Sequence, residues 1–187
     1  LAPLSDVEIY IYASNSATYP VATTFTRNGT YLTQGLPASS YYVRFRTTNT
    51  TDQEYIEEYY KDTATLATAS AVTVNAGSIT SGINGELTVG ATISGRVTLQ
   101  TTGEGISAVS VVADGNGAGY GSTNPDSDGY YTIYGLASDS YKVGFYGTRD
   151  DRRCGYIQYS TSFYNGKSRL EDAELLTLAV PNRNNPA

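Results

Sequence analysis

A seventeen-residue unit occurs twice in this chain, one hundred positions apart. Gly29-Thr-Tyr-Leu-Thr-Gln-Gly-Leu-Pro-Ala-Ser-Ser-Tyr-Tyr-Val-Arg-Phe45 returns as Gly129-Tyr-Tyr-Thr-Ile-Tyr-Gly-Leu-Ala-Ser-Asp-Ser-Tyr-Lys-Val-Gly-Phe145, with eight of seventeen positions identical. A repeat of this kind sets the architecture before any local propensity is weighed, because each copy must bury the same face. The shared positions are the ones a strand-turn-strand unit needs. With 187 residues, the chain divides into two domains of about 90 to 100 residues each. The expected boundaries are 1–90 and 91–187.

The local pattern is that of strands. In Val7-Glu-Ile-Tyr-Ile11, Val7, Ile9 and Ile11 share one face while Glu8, Tyr10 and Tyr12 share the other. Tyr41, Val43 and Phe45 point one way, and Tyr42, Arg44 and Arg46 the other. This two-residue period recurs at 71–74, 83–89, 93–99, 108–112, 130–134, 141–145 and 175–180, as half-buried strands require. Turn clusters such as Asn28-Gly29, Asp114-Gly-Asn-Gly117 and Asp126-Ser-Asp-Gly129 separate the segments, and such residues favour tight reversals. The fold class predicted is all-β: two tandem antiparallel Greek-key β-sandwiches with very little helix. Helix formers cluster only at 53–60 and 167–174, which read as short helical turns. Aligning the copies predicts that the first domain lacks an opening strand, since 91–99 has no counterpart before Leu4. It likewise predicts that the second lacks a closing strand, since 78–89 has no counterpart after Pro181.

Composition removes whole classes of function. The chain has no His, Trp or Met and one Cys, Cys154. Without His there is no imidazole base and no His-dependent triad. One Cys makes no internal disulfide, so Cys154 is a small buried hydrophobe or a free thiol open to another chain. The net charge of −6 and the absence of a Lys/Arg cluster argue against nucleic acid as partner. No apolar run approaches the roughly 20 residues that a membrane helix needs.

The segment Ile93-Ser-Gly-Arg-Val … Gly105-Ile … Val109-Ser-Val … Asp128-Gly-Tyr-Tyr-Thr-Ile-Tyr-Gly-Leu136 … Ser140-Tyr-Lys-Val143 resembles the carboxypeptidase regulatory-like domains, which belong with transthyretin-like and Cna B-type modules. The first half keeps Asn28-Gly-Thr-Tyr … Gly35-Leu-Pro … Tyr41-Tyr-Val of the pattern, without its opening strand. The resemblance implies noncatalytic, secreted or cell-surface modules: spacers, stalk units, adhesin or pilin segments, and sugar-binding accessories. Some Cna B-type modules carry an internal Lys–Asn/Asp isopeptide bond with its Lys on the first strand. That strand here carries Arg96, and the three lysines are Lys61, Lys142 and Lys167, so no such bond is expected.

Several residues invite a chemical reading beside a plainer one. Asn124, Asp126 and Asp128 ahead of Gly129 look like the start of a calcium loop. The EF-hand Glu position is occupied by Gly135, which leaves a site with fewer ligands or a plain turn. No other cofactor is implied. Asn28 and Asn49 open N-glycosylation sequons. The adjacent carboxylates Glu57-Glu58 and Asp150-Asp151 point to opposite faces of a strand and read as solvated surface. Tyr10, Tyr12 and Tyr42 on an outward face could stack sugars or line a contact, or simply pair across strands. The leading functional expectation is a noncatalytic extracellular assembly module, partnered by copies of itself or by neighbouring domains and joined through open sheet edges. A carbohydrate-binding accessory module using the tyrosine face is the alternative.

Overall fold

The computed structural model describes residues 3–47, 55–117, 119–147, 149–150 and 157–180. Contacts divide the chain into two compact units, Leu1–Val89 and Gly90–Ala187. Both consist of antiparallel strands, and the only helical elements among the described residues are two single 3-10 turns, Leu66–Thr68 and Tyr164–Gly166. No helix there is long and apolar enough to cross a membrane.

The first unit contains β1 (Val7–Tyr12), β2 (Ala22–Phe25), β3 (Ser39–Thr47), β4 (Glu58–Tyr59) and β5 (Val72–Val74). Strand β1 lies between β2 and β3, and the far edge of β3 is shared by β4 and β5 at different heights. The register sets Ile9 beside Phe45, Tyr41 beside Val72, and Phe45 beside Glu58. The alternation in the sequence therefore becomes a core of Val7, Ile9, Ile11, Tyr41, Val43, Phe45 and Val72 on one face of the sheet.

The second unit repeats this sheet strand for strand. Its elements are β6 (Ala91–Arg96), β7 (Val109–Gly115), β8 (Tyr120–Thr123), β9 (Tyr130–Leu136), β10 (Asp139–Gly147), β11 (Arg149–Asp150), β12 (Ile157–Gln158), β13 (Ser162–Phe163) and β14 (Leu175–Leu178). Here β7 lies between β8 and β10, and β13 and β14 share the far edge of β10. A pair of strands, β6 and β9, forms a separate small sheet, as does the pair β11 and β12. Ile93, Tyr131, Ile133 and Leu136 from β6 and β9 join Val109, Val111, Ala113, Tyr141 and Val143 from the larger sheet in one core.

The two repeated tyrosines do the same job in each unit. The Tyr41 hydroxyl donates to the Pro37 carbonyl at 3.0 Å, and that of Tyr141 to the Ala137 carbonyl at 2.9 Å. Each ring is buried and each hydroxyl is satisfied four residues upstream, so the turn entering the strand is locked to the core.

Two sequence expectations are corrected. Residues 55–60 hold no helical turn; Glu58 and Tyr59 form β4, because Tyr59 packs beside Tyr12 and the backbone gains a ladder with β3. Residues 53 and 54 lie outside the described part. The segment 167–174 is a run of bends and turns, held by Lys167 bonding across to Phe163 and by the Lys167–Glu174 ion pair at 3.5 Å. Helix formers alone do not make a helix in so short a segment with no nucleus.

Candidate functional site, an open groove in the first unit

In the second unit β9 is covered along one edge by β6, with Ile93 opposite Ile133, Ser94 opposite Thr132, Gly95 opposite Tyr131 and Arg96 opposite Tyr130. The same place in the first copy of the repeat is taken by residues 30–36, which among the described residues form no ladder beyond the isolated Arg27–Thr30 bridge. The two stretches carry the same Tyr … Gly-Leu pattern, so the difference lies in the partner strand.

Where that partner would lie, the first unit has a groove of about 960 Å³. Its floor is the inner face of the sheet, with Val7, Tyr41, Val43 and Phe45, and its walls are residues 30–36 and 77–87. Among the described residues, no strand pairing joins the two walls. They are linked by the Tyr31 hydroxyl, which donates to the Ile83 carbonyl at 2.7 Å. The Tyr31 ring meets Phe45 edge-on at 6.2 Å, as Tyr131 meets Phe145 at 6.0 Å. Gly85 lies so close to Phe45 that a Cβ there would stand 2.7 Å from the ring. Along the open edge Leu32 remains 60% exposed and Ile79 82% exposed.

Burial pushes the Tyr31 hydroxyl up to about 12, with Tyr60 adding to the effect. The folded-state value is the higher one. Its contribution to stability is therefore complete below the ordinary tyrosine value of 10 and is lost as pH rises toward 12. The first unit is expected to loosen in that window, and Tyr31→Phe to flatten the loss; far-ultraviolet circular dichroism during an alkaline titration measures both.

Residues 83–89, expected as a strand, carry no ladder among the described residues. Val89 makes one isolated bridge with Tyr55, the Ile56 N–H donates to the Thr88 carbonyl at 2.8 Å, and the Glu86 N–H donates to Glu58 Oε1 at 2.8 Å. Their sequence, Ile83-Asn-Gly-Glu-Leu-Thr-Val89, has the pattern of Ile93-Ser-Gly-Arg-Val-Thr-Leu99, which contains β6. This second repeat, seven residues long at a spacing of ten, lies between the two copies of the longer one and shows only when the chain is aligned with itself at short spacing.

The tyrosine face is closed by its own contacts. Tyr12, expected to stand outward in the open, is 6% exposed, and Tyr10 and Tyr42 are half-buried. For Tyr10 and Tyr12 the cause is Arg44 on the neighbouring strand. Its guanidinium lies over Tyr10 and Tyr59 at 5.4 and 6.0 Å, donates to the Tyr12 hydroxyl at 3.4 Å and pairs with Glu57. The Glu57 carboxylate is the chief influence holding Arg44 in its charged form against the opposing effect of burial. Glu8 accepts from the Tyr10 hydroxyl. These rings are spent on one another and on a cation.

The other candidates are placed as follows. Asp126 Oδ1 accepts from the N–H groups of Asp128 and Tyr130, both at 2.9 Å, and the Asp126 carbonyl accepts from Gly129. Arg96 Nε donates to the Asp128 carbonyl at 2.8 Å. Those bonds shape the turn that holds Asn124, Asp126 and Asp128. Among the described residues no three His, Cys, Asp or Glu side chains gather in a group able to hold a metal ion. Asn28 is exposed in its turn with φ of 50°, and its N–H donates to Ser5 Oγ at 3.1 Å. Glu57 and Glu58 serve different partners, as described. Asn49, Asp151 and Cys154 lie outside the described residues.

No family model matches the chain, and comparison with curated proteins and with solved structures found no match.

Proposed function

We propose that this chain is a noncatalytic structural module, two tandem Greek-key sandwiches of the transthyretin-like, carboxypeptidase regulatory-like kind. It works outside the cell as a segment or subunit of a surface stalk, adhesin or filament. The observation that carries this reading is the strand-patterned edge at 30–36, which opens on an apolar groove with no ladder along it. Exposed main-chain donors and acceptors beside an uncovered core are costly in a folded domain, and an added strand satisfies both at once. Strand addition is a recurring way for β-domains to bind one another. A carbohydrate platform finds less support, because Tyr10 and Tyr12 are already engaged by Arg44 and Glu8.

Sedimentation velocity over a concentration series tests the reading. Assembly is expected to appear as growing species with rising concentration, and to weaken in the Leu32→Lys variant, which places a charge on the open edge. A single monomeric boundary at every concentration contradicts it.

A further inference from the structure

We propose that residues 30–36 and 83–89 are the acceptor and the donor of a strand exchange between two copies of this chain. This rests on the assembly reading above and names its contact.

The second unit is a filled version of the site. Carrying its register across by the repeat sets Ile83 opposite Thr33, Asn84 opposite Leu32, Gly85 opposite Tyr31 and Glu86 opposite Thr30. The demand for glycine is explicit. Gly95 lies on the Tyr131 ring, where a Cβ would stand 2.8 Å from the hydroxyl oxygen, and the donor brings Gly85 to the matching position over Tyr31. Ile83 and Leu87, which already pack against the core within their own chain, would then face inward with Val89 as Ile93, Val97 and Leu99 do, while Asn84, Glu86 and Thr88 face outward.

Within one chain the two segments do not close. The 83–89 segment is held to residues 55–58 by the Tyr55–Val89 bridge, by the Ile56 N–H on Thr88 and by the Glu58 carboxylate on the Glu86 N–H. The Tyr31 hydroxyl crosses the groove to it. Strand β6 is a poor donor because giving it up would strip β9 of its partner, whereas 83–89 belongs to none of the strands β1–β14. Its tether contains Gly77 and Gly82, both at positive φ (71° and 77°) and with open space around them. Exchange of an identical element costs little when the hinge is free to turn.

The test is a pair of cysteines, Leu32→Cys and Asn84→Cys, in a Cys154→Ser background. Both side chains are exposed, so the fold is kept, and wild-type circular dichroism of the reduced protein verifies that. On mild oxidation the double variant is expected to shift from one chain mass to two and more on a denaturing, nonreducing gel. A mixture of the two single variants is expected to give the crossed disulfide, identified by peptide mass. Ser94→Cys with Thr132→Cys, which lie opposite each other in β6 and β9, serves as the within-chain control for bridging in this register. A disulfide closed within one chain overturns the exchange. So does a double variant that assembles but forms no crossed disulfide, and assembly then proceeds through another edge. A chain that never assembles overturns the exchange and the assembly reading together.

Discussion

Leu136→Ala is expected to lower the stability of the second unit by about 3–4 kcal/mol, while the repeat-equivalent Leu36→Ala lowers that of the first by only about 1 kcal/mol. The two leucines hold the same place in the repeat, yet Leu136 is 1% exposed and Leu36 is only half-buried. Truncating Leu136 leaves a cavity walled by both sheets of its core, which cannot collapse without moving β6. Truncating Leu36 removes a side chain that already borders the open groove. Denaturant unfolding of each variant at low protein concentration measures the difference. The gap should narrow at concentrations where the chain assembles, because an added strand completes the burial of Leu36.

Gly129→Ala is expected to be at least as damaging, at about 3–5 kcal/mol. Gly129 has φ of 86°, and a Cβ there would run into the Val97 carbonyl oxygen and come within 3.0 Å of the Gly105 Cα. Both are main-chain atoms fixed by the Val97–Gly129 and Ile106–Val97 hydrogen bonds at 2.8 and 3.0 Å, so neither yields cheaply. Gly29 has φ of 74°, but its Cβ would meet Pro3, at the margin of the first unit's sheet. Gly29→Ala should therefore cost the left-handed conformation, about 1–2 kcal/mol, plus the displacement of Pro3, into whose Cβ the new methyl would run, and still less than Gly129→Ala. Thermal melting of both variants checks the asymmetry.

The long repeat made the larger sheet of each unit legible. Alternation at 7–11, 41–45 and 141–145 named the central strands and the residues they bury, because a period of two survives whenever one face is packed. The short strands β2, β4, β8 and β13 escaped notice, since two to four residues carry no readable period and exist only by pairing with a longer neighbour. Residues 83–89 show the opposite failure. Their pattern is that of a strand, but pattern specifies a face and cannot supply the partner that makes a ladder. The tyrosine face misled for a related reason. Alternation set Tyr12 outward correctly with respect to its own strand, and only the fold brought Arg44 and Tyr59 over it.

Amide hydrogen exchange at residues 30–36 measures the central claim directly, namely that this edge is completed by a strand from another copy. In dilute monomer the amides of Leu32, Thr33 and Gln34 should exchange nearly as fast as in an unfolded chain, while those of Ile9 and Val43 stay protected. In the assembled state the same edge amides should gain protection comparable to that of β9 in the second unit. Full assembly with the edge amides still exchanging freely, or equal protection already present in dilute monomer, contradicts the account.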